Sequence, residues 1–166
     1  MIPGAYETRK PQIRQINWTD TNARISRFFT VHEALWLPSW KIYHTPSEDE
    51  KDNIIEFAKK MDVVRDFYGI PINIHCWIRP VSVNNKESVN HGMNYNIAAH
   101  STAKNSPHIT GRAVDFHFSN FSGPAGCKEM KARLTPHLEE WGLRMEDHTV
   151  AWIHLDDYPV GVNRVF

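Results

Sequence analysis

A period of two runs through two short segments of this chain, and in both it gathers ionisable side chains on one face and apolar ones on the other. In Ala-Val-Asp-Phe-His-Phe, residues 113 to 118, the alternation sends Ala113, Asp115 and His117 to one side of a strand and Val114, Phe116 and Phe118 to the other. In Ala-Trp-Ile-His-Leu-Asp, residues 151 to 156, it sets Trp152, His154 and Asp156 against Ala151, Ile153 and Leu155. Both segments read as half-buried strands. If they are neighbours in one sheet, Asp115 and His154 meet on a single surface. His108 lies seven residues before Asp115, and Gly111 between them lets the chain turn, so His108 can reach that surface from a loop. Two imidazole nitrogens and one carboxylate oxygen suit a zinc ion with its fourth position left to water, which is the arrangement of catalytic rather than structural sites.

Caps and breakers organise the rest. Residues 1–24 are polar and weakly periodic and read as an extended N-terminal arm, with one domain over 25–166. Thr30-Val-His-Glu33 is a capping-box pattern that opens a short helix, and Ser47-Glu-Asp-Glu50 repeats it after Pro46. The helix that follows carries Ile54, Phe57, Ala58, Met61, Val64 and Tyr68 as an apolar stripe, with Gly69 as its C-terminal cap. Ile72 to Ile78 reads as a strand. Between Pro80 and Asn105 the chain is polar and holds six asparagines; a segment this long inside a compact domain reads as a substrate-binding loop, against the plainer reading of a solvated insertion. A last helical region runs through Met130 and Leu134 to Trp141, interrupted at Thr135-Pro136. Together these elements predict an α+β fold with helices packed on a small, mainly antiparallel sheet.

Composition narrows the function. Nineteen basic and nineteen acidic side chains cancel, so nothing favours broad electrostatic binding to nucleic acid, and a nuclease built on the histidines lacks the basic stripe it would need. No apolar signal core opens the chain and no run is long enough to cross a bilayer. The expectation is a protein cytoplasmic on synthesis and not inserted in a membrane. Cys76 and Cys127 do not make a disulfide framework; their pairing stays open, with reduced thiols favoured. Of the ten histidines, His32, His44, His91, His137 and His148 belong to no motif and read as surface or capping residues. The oligomeric state is not readable from the chain.

Ser106-x-His108-x-x-Gly-x-Ala-x-Asp115, followed downstream by Trp152-x-His154, resembles the M15 zinc peptidases, in particular the C-terminal type of that family. These are D-Ala-D-Ala carboxypeptidases and L-Ala-D-Glu endopeptidases, many of them phage endolysins, and they share a fold with the Hedgehog signalling domain. Phe28-Phe-Thr-Val-His-Glu-Ala, Phe67-Tyr-Gly69 and the block from Pro71 to Asn84 resemble upstream parts of the same family, so the likeness spans residues 25–160. It implies that 25–166 is a zinc peptidase domain acting on peptidoglycan stem peptides, reaching the cell wall by phage-type release. It also implies that Arg79 is the cation that orients substrate and steadies the developing oxyanion. Ser106 then binds substrate or holds the loop. Two departures stand out. Many members carry an acid three residues before the last histidine, where this chain has Ala151, and Ser-Gly-Tyr before the arginine reads Cys76-Trp-Ile.

The general base must therefore come from elsewhere, and branches of the family draw it from the region where Glu146 and Asp147 lie. Met145-Glu-Asp-His-Thr-Val reads as the first arm of a hairpin whose second arm carries His154, which folds Glu146 back over the site. Asp147 would face the opposite way if that arm is extended. Asp156 shares a face with His154 and is better placed to orient a ligand or bind a substrate amine. The alternative reading is a catalytically silent zinc-binding module of the same fold, which Ala151 favours.

Overall fold

The computed structural model describes residues 15–38, 41–79, 106–159 and 163–166. The expected loop over 80–105 and most of the N-terminal arm, residues 1–14, lie outside the described residues. The chain is α+β, with three α-helices and two antiparallel sheets among the described residues. Helix α1 is Val31–Leu35 and runs into a two-stranded sheet of β1 (Trp36–Leu37) and β2 (Ile42–Tyr43). Helix α2 is Glu48–Tyr68, and β3 (Ile72–Cys76) follows. After a 3-10 turn at Pro107–Thr110 come β4 (Ala113–Phe118), α3 (Gly123–Leu134), a second 3-10 turn at Thr135–His137, β5 (Arg144–Met145) and β6 (Ile153–Asp156). The main sheet has the order β3-β4-β6-β5, every neighbouring pair antiparallel.

Local chemistry explains where the helices begin. Both capping boxes form: Thr30 and Glu33 satisfy each other's backbone N–H groups, as do Ser47 and Glu50. His44 adds to the second, its Nε2 lying 2.9 Å from Glu50 Oε2. Gly69 ends α2 at φ +63°, a left-handed conformation that a side chain would strain. On α2 the residues Ile54, Phe57, Ala58, Met61 and Val64 are buried, and Tyr68 packs at the edge of the same cluster. That stripe meets Val114, Phe116 and Phe118 of β4 and Ile153 and Leu155 of β6 in one core. One face of the sheet is thus committed to the interior. The other face is free to carry polar groups.

Three expectations differ from what is found. Residues 15–24 are not extended; they pass through hydrogen-bonded turns, and Ile16, Trp18 and Ala23 pack against the core. Strand β3 stops at Cys76, because a bulge between Ile74 and Cys76 breaks the ladder before Trp77 and Ile78 enter the core. Helix α3 starts at Gly123, earlier than the pattern around Met130 suggested, and ends at Leu134, where Pro136 forces the 3-10 turn.

Candidate metal centre

Strands β4 and β6 pair with Asp115 directly opposite His154, so the two side chains rise from the same face at adjacent positions. His108 comes to them from the 3-10 turn. Ser106 caps that turn, its Oγ accepting from the His108 N–H at 3.4 Å, and Gly111 closes it at φ +79°. A Cβ on Gly111 would lie 2.6 Å from Ile54 Cγ1, so glycine is required by close approach as well as by backbone conformation. The turn is then laced to the end of β3. Trp77 Nε1 donates to the Gly111 carbonyl at 3.0 Å, and the Arg79 N–H donates to the His108 carbonyl at 2.9 Å.

Hydrogen bonds decide which ring nitrogens are free. His108 Nδ1 is 2.6 Å from the carbonyl oxygen of Trp77, an acceptor only, so Nδ1 carries the proton and the Nε2 lone pair is left to face inward. His154 Nε2 lies 3.2 Å from Asp156 Oδ2 and donates to it, which turns Nδ1 inward. Asp156 is fully buried and is gripped by Arg144 through two bonds of 2.7 and 2.9 Å. Burial alone would raise the Asp156 carboxyl, but the bonds from His154 and Arg144 hold it below its ordinary value. Each imidazole thus has the outer partner that metal-binding histidines use to fix tautomer and ring orientation.

The three inward atoms converge. His108 Nε2 lies 3.1 Å from His154 Nδ1 and 3.2 Å from Asp115 Oδ1, and His154 Nδ1 lies 2.8 Å from the same oxygen. Tetrahedral zinc with bonds of ~2.0–2.1 Å needs ligand atoms about 3.3 Å apart, so the separations suit a small divalent cation with little movement. Lone pairs facing one another repel unless a cation stands between them. Without a metal that cation is a proton on His154: burial would lower its pKa, but hydrogen bonds to Asp115 and Asp156 push it up to about 9. Burial would likewise raise the Asp115 carboxyl, yet His108 and His154 hold it well below the carboxylate range. His108, Asp115 and His154 therefore form a group that could hold a metal ion.

The centre opens into a cleft of about 450 Å³. Arg79 lines it and places NH2 3.4 Å from Asp115 Oδ2, the carboxylate oxygen turned away from the histidines. Its Nε has no hydrogen-bond partner among the described residues. Glu146 also lines the cleft, its backbone N–H donating to the His154 carbonyl at 3.3 Å. Asp147 lines not this cleft but a second cavity of about 510 Å³ against α3. There Lys131 donates to the carbonyls of Asp147 and Thr149 at 3.0 and 2.5 Å and pins the 146–149 loop. Ala151 is exposed and does not line the cleft. Cys76 and Cys127 are both free thiols, and burial pushes Cys76 up to about 11.

Sequence reasoning missed several contributors. The Trp77 carbonyl orients His108, Arg144 anchors Asp156, and Phe166 walls the cleft with Trp152. Arg144 sits opposite Asp156 in the β5–β6 register, so opposite charges across a short hairpin were the available signal. The ring of Phe166 lies 4.3 Å beneath the Arg144 guanidinium. No protein-family model, curated protein or solved structure matched the chain.

Proposed function

We propose that this chain is a zinc-dependent peptidase that hydrolyses amide bonds in peptidoglycan stem peptides, as a D-Ala-D-Ala carboxypeptidase or an L-Ala-D-Glu endopeptidase of the kind found in phage lysins. The observation that carries the catalytic reading is the convergence of three lone-pair atoms from His108, Asp115 and His154 at the floor of an open cleft, with Glu146 on its wall. Two nitrogens and one oxygen favour zinc over calcium or magnesium, which prefer all-oxygen shells. The substrate class rests on the resemblance of Ser106-x-His108-x-x-Gly-x-Ala-x-Asp115 and Trp152-x-His154 to the M15 peptidases.

A zinc ion held by His108, Asp115 and His154 would supply Lewis acidity and would lower the pKa of the attacking water towards about 7. The remaining work falls to side chains. Glu146 takes the proton of the attacking water and delivers it to the leaving amine, a role open to a carboxylate that lines the cleft. Arg79 offers forked N–H donors to the developing oxyanion or to a terminal carboxylate, while its contact with Asp115 keeps that ligand in place. Asp156 holds His154 in the tautomer whose Nδ1 faces the cleft, and Ser106 holds the His108 turn.

The test is digestion of purified peptidoglycan by zinc-loaded and by chelator-treated protein, scored by newly released amino groups and by mass spectrometry of the muropeptides. Amino-group release that zinc supports and the chelator abolishes is the expected result, and the fragment masses identify the bond. Zinc binding without any release would leave the chain as a silent metal-binding module, the reading that Ala151 favours.

A further inference from the structure

His75 and His117 form a second pair of imidazoles in contact outside the His108–Asp115–His154 group, and nothing in the reaction proposed above uses it. His117 is on β4, two residues beyond Asp115 and on the same face, which at ~3.4 Å per residue places it about 7 Å along the strand. His75 is on β3 at the bulge, where the ladder leaves it without a register partner. The bulge and the pairing of β3 with β4 bring the rings together, with His75 Nε2 2.5 Å from His117 Nδ1 and the ring centroids 4.8 Å apart. His75 is exposed and His117 half-buried, so an ion can reach both.

We propose that His75 and His117 form a second site for a borderline divalent ion of the zinc, nickel or copper class. The nitrogens are closer than an ordinary N–H···N contact, and two lone pairs so placed are bridged by one proton or by one metal ion. An ion with bonds of ~2.0–2.1 Å needs the nitrogens about 2.9 Å apart at a right angle and about 3.3 Å apart in a tetrahedron. A small outward swing of two accessible rings supplies that. The far side of His117 is already supported. Asn73 Nδ2 lies 3.3 Å from His117 Nε2 and 2.9 Å from Ser119 Oγ. Turning the Asn73 amide over presents Oδ1 to accept from Nε2–H, and the Ser119 hydroxyl can then donate to it. That arrangement leaves Nδ1 free for the ion and gives His117 the outer partner that metal-bound imidazoles use. With two protein nitrogens and open positions for water, the site is weaker than the three-ligand centre and follows the order in which copper binds most tightly.

Equilibrium dialysis of the full chain against rising zinc, with metal analysis of the protein, tests this independently of any peptidase activity. Wild type should take up two ions, the second more weakly. H75Q and H117Q should each weaken that second ion at least about tenfold, and N73A should weaken it to a lesser degree. H108A should lose the tight ion and keep the weak one. If wild type binds only the weak ion, and H75Q removes it, the second site stands and the His108 centre fails. A second ion unchanged in both H75Q and H117Q would overturn the proposal, as would saturation of wild type at one ion that H108A abolishes.

Discussion

Zinc binding at the His108 centre should release about one proton per ion from His154 at pH 7, on top of about half a proton from a zinc-bound water of pKa about 7, because the metal-free chain stores a proton where the metal must go. His154 donates from Nε2 to Asp156 and holds its Nδ1 proton against Asp115, 2.8 Å away. Those contacts, working against burial, push its pKa up to about 9. At pH 7 such an imidazole is about 99% protonated, whereas one at the ordinary 6.5 would be about 24% protonated. Metal coordination takes the Nδ1 lone pair and expels the proton. Two pH units below the pKa, displacing it weakens zinc binding about a hundredfold, or about 2.7 kcal/mol. Apparent affinity should therefore rise at least about tenfold per unit between pH 6 and pH 8. Titration calorimetry at pH 7 in buffers of different ionisation enthalpy measures the count directly, since the slope of heat against that enthalpy is the number of protons released. D156N, which loses one of the contacts that hold the proton, should release fewer. A count near 0.7 in wild type, about half a proton from the water and about 0.2 from an imidazole at its ordinary 6.5, would show that His154 is largely neutral before the metal arrives.

The same groups set the pH dependence of stability without metal. His154 has a raised folded-state pKa, so its contribution is complete below 6.5 and is lost as pH rises through about 9. Asp115 has a lowered one, so its contribution is present above its ordinary 3.8 and is lost as pH falls through the depressed value. Thermal melts of chelated protein should plateau between about pH 4 and 6.5 and decline towards pH 9; a melting temperature that climbs across that upper range would contradict the assignment. E146Q should keep zinc and fold while lowering turnover on peptidoglycan, with D147N close to wild type because Asp147 lines the second cavity and not the cleft; the reverse ranking would move the base by one residue. Arg79→Lys should retain zinc yet lose on the order of a hundredfold in activity, as for removal of an oxyanion donor, and unchanged catalytic efficiency would make Arg79 purely structural. Gly111→Ala forces a side chain into φ +79° and against Ile54, so a loss of about 2–4 kcal/mol is expected, seen as a melting temperature lower by roughly 5–15 °C; a melt within a degree of wild type would show that the turn is not held against α2.

What could be read from the chain alone follows physical range. The faces of β4 and β6 depend on alternation over a few residues, and a period of two is visible in Val114, Phe116 and Phe118 without knowing what they pack against. The capping boxes at Thr30 and Ser47 are equally local. The start of α3 was missed because Ser122 makes no side-chain cap and Gly123-Pro124 gives only a weak signal. Strands β1 and β2 have two residues each, too few for any period to show. The supports of the centre were hidden for a different reason. Any residue supplies a backbone carbonyl, so nothing in Trp77 announces that its oxygen orients His108. Arg144 and Asp156 are twelve residues apart, and only the hairpin register makes them partners.

Because Asp115 and His154 are cross-strand partners, the candidate metal centre would also be a test of alignment. A slip of one residue between β4 and β6 would carry Asp115 or His154 round to the apolar side and separate the ligands. Compact states with the wrong register can bury similar amounts of Val, Phe and Leu, so burial alone discriminates poorly among them. Coordination does not share that tolerance, since its free energy is available only to the chain that has paired Asp115 with His154 and brought His108 over Gly111. An ion acquired during folding would act as proofreading, selecting the one strand alignment in which all three ligands meet.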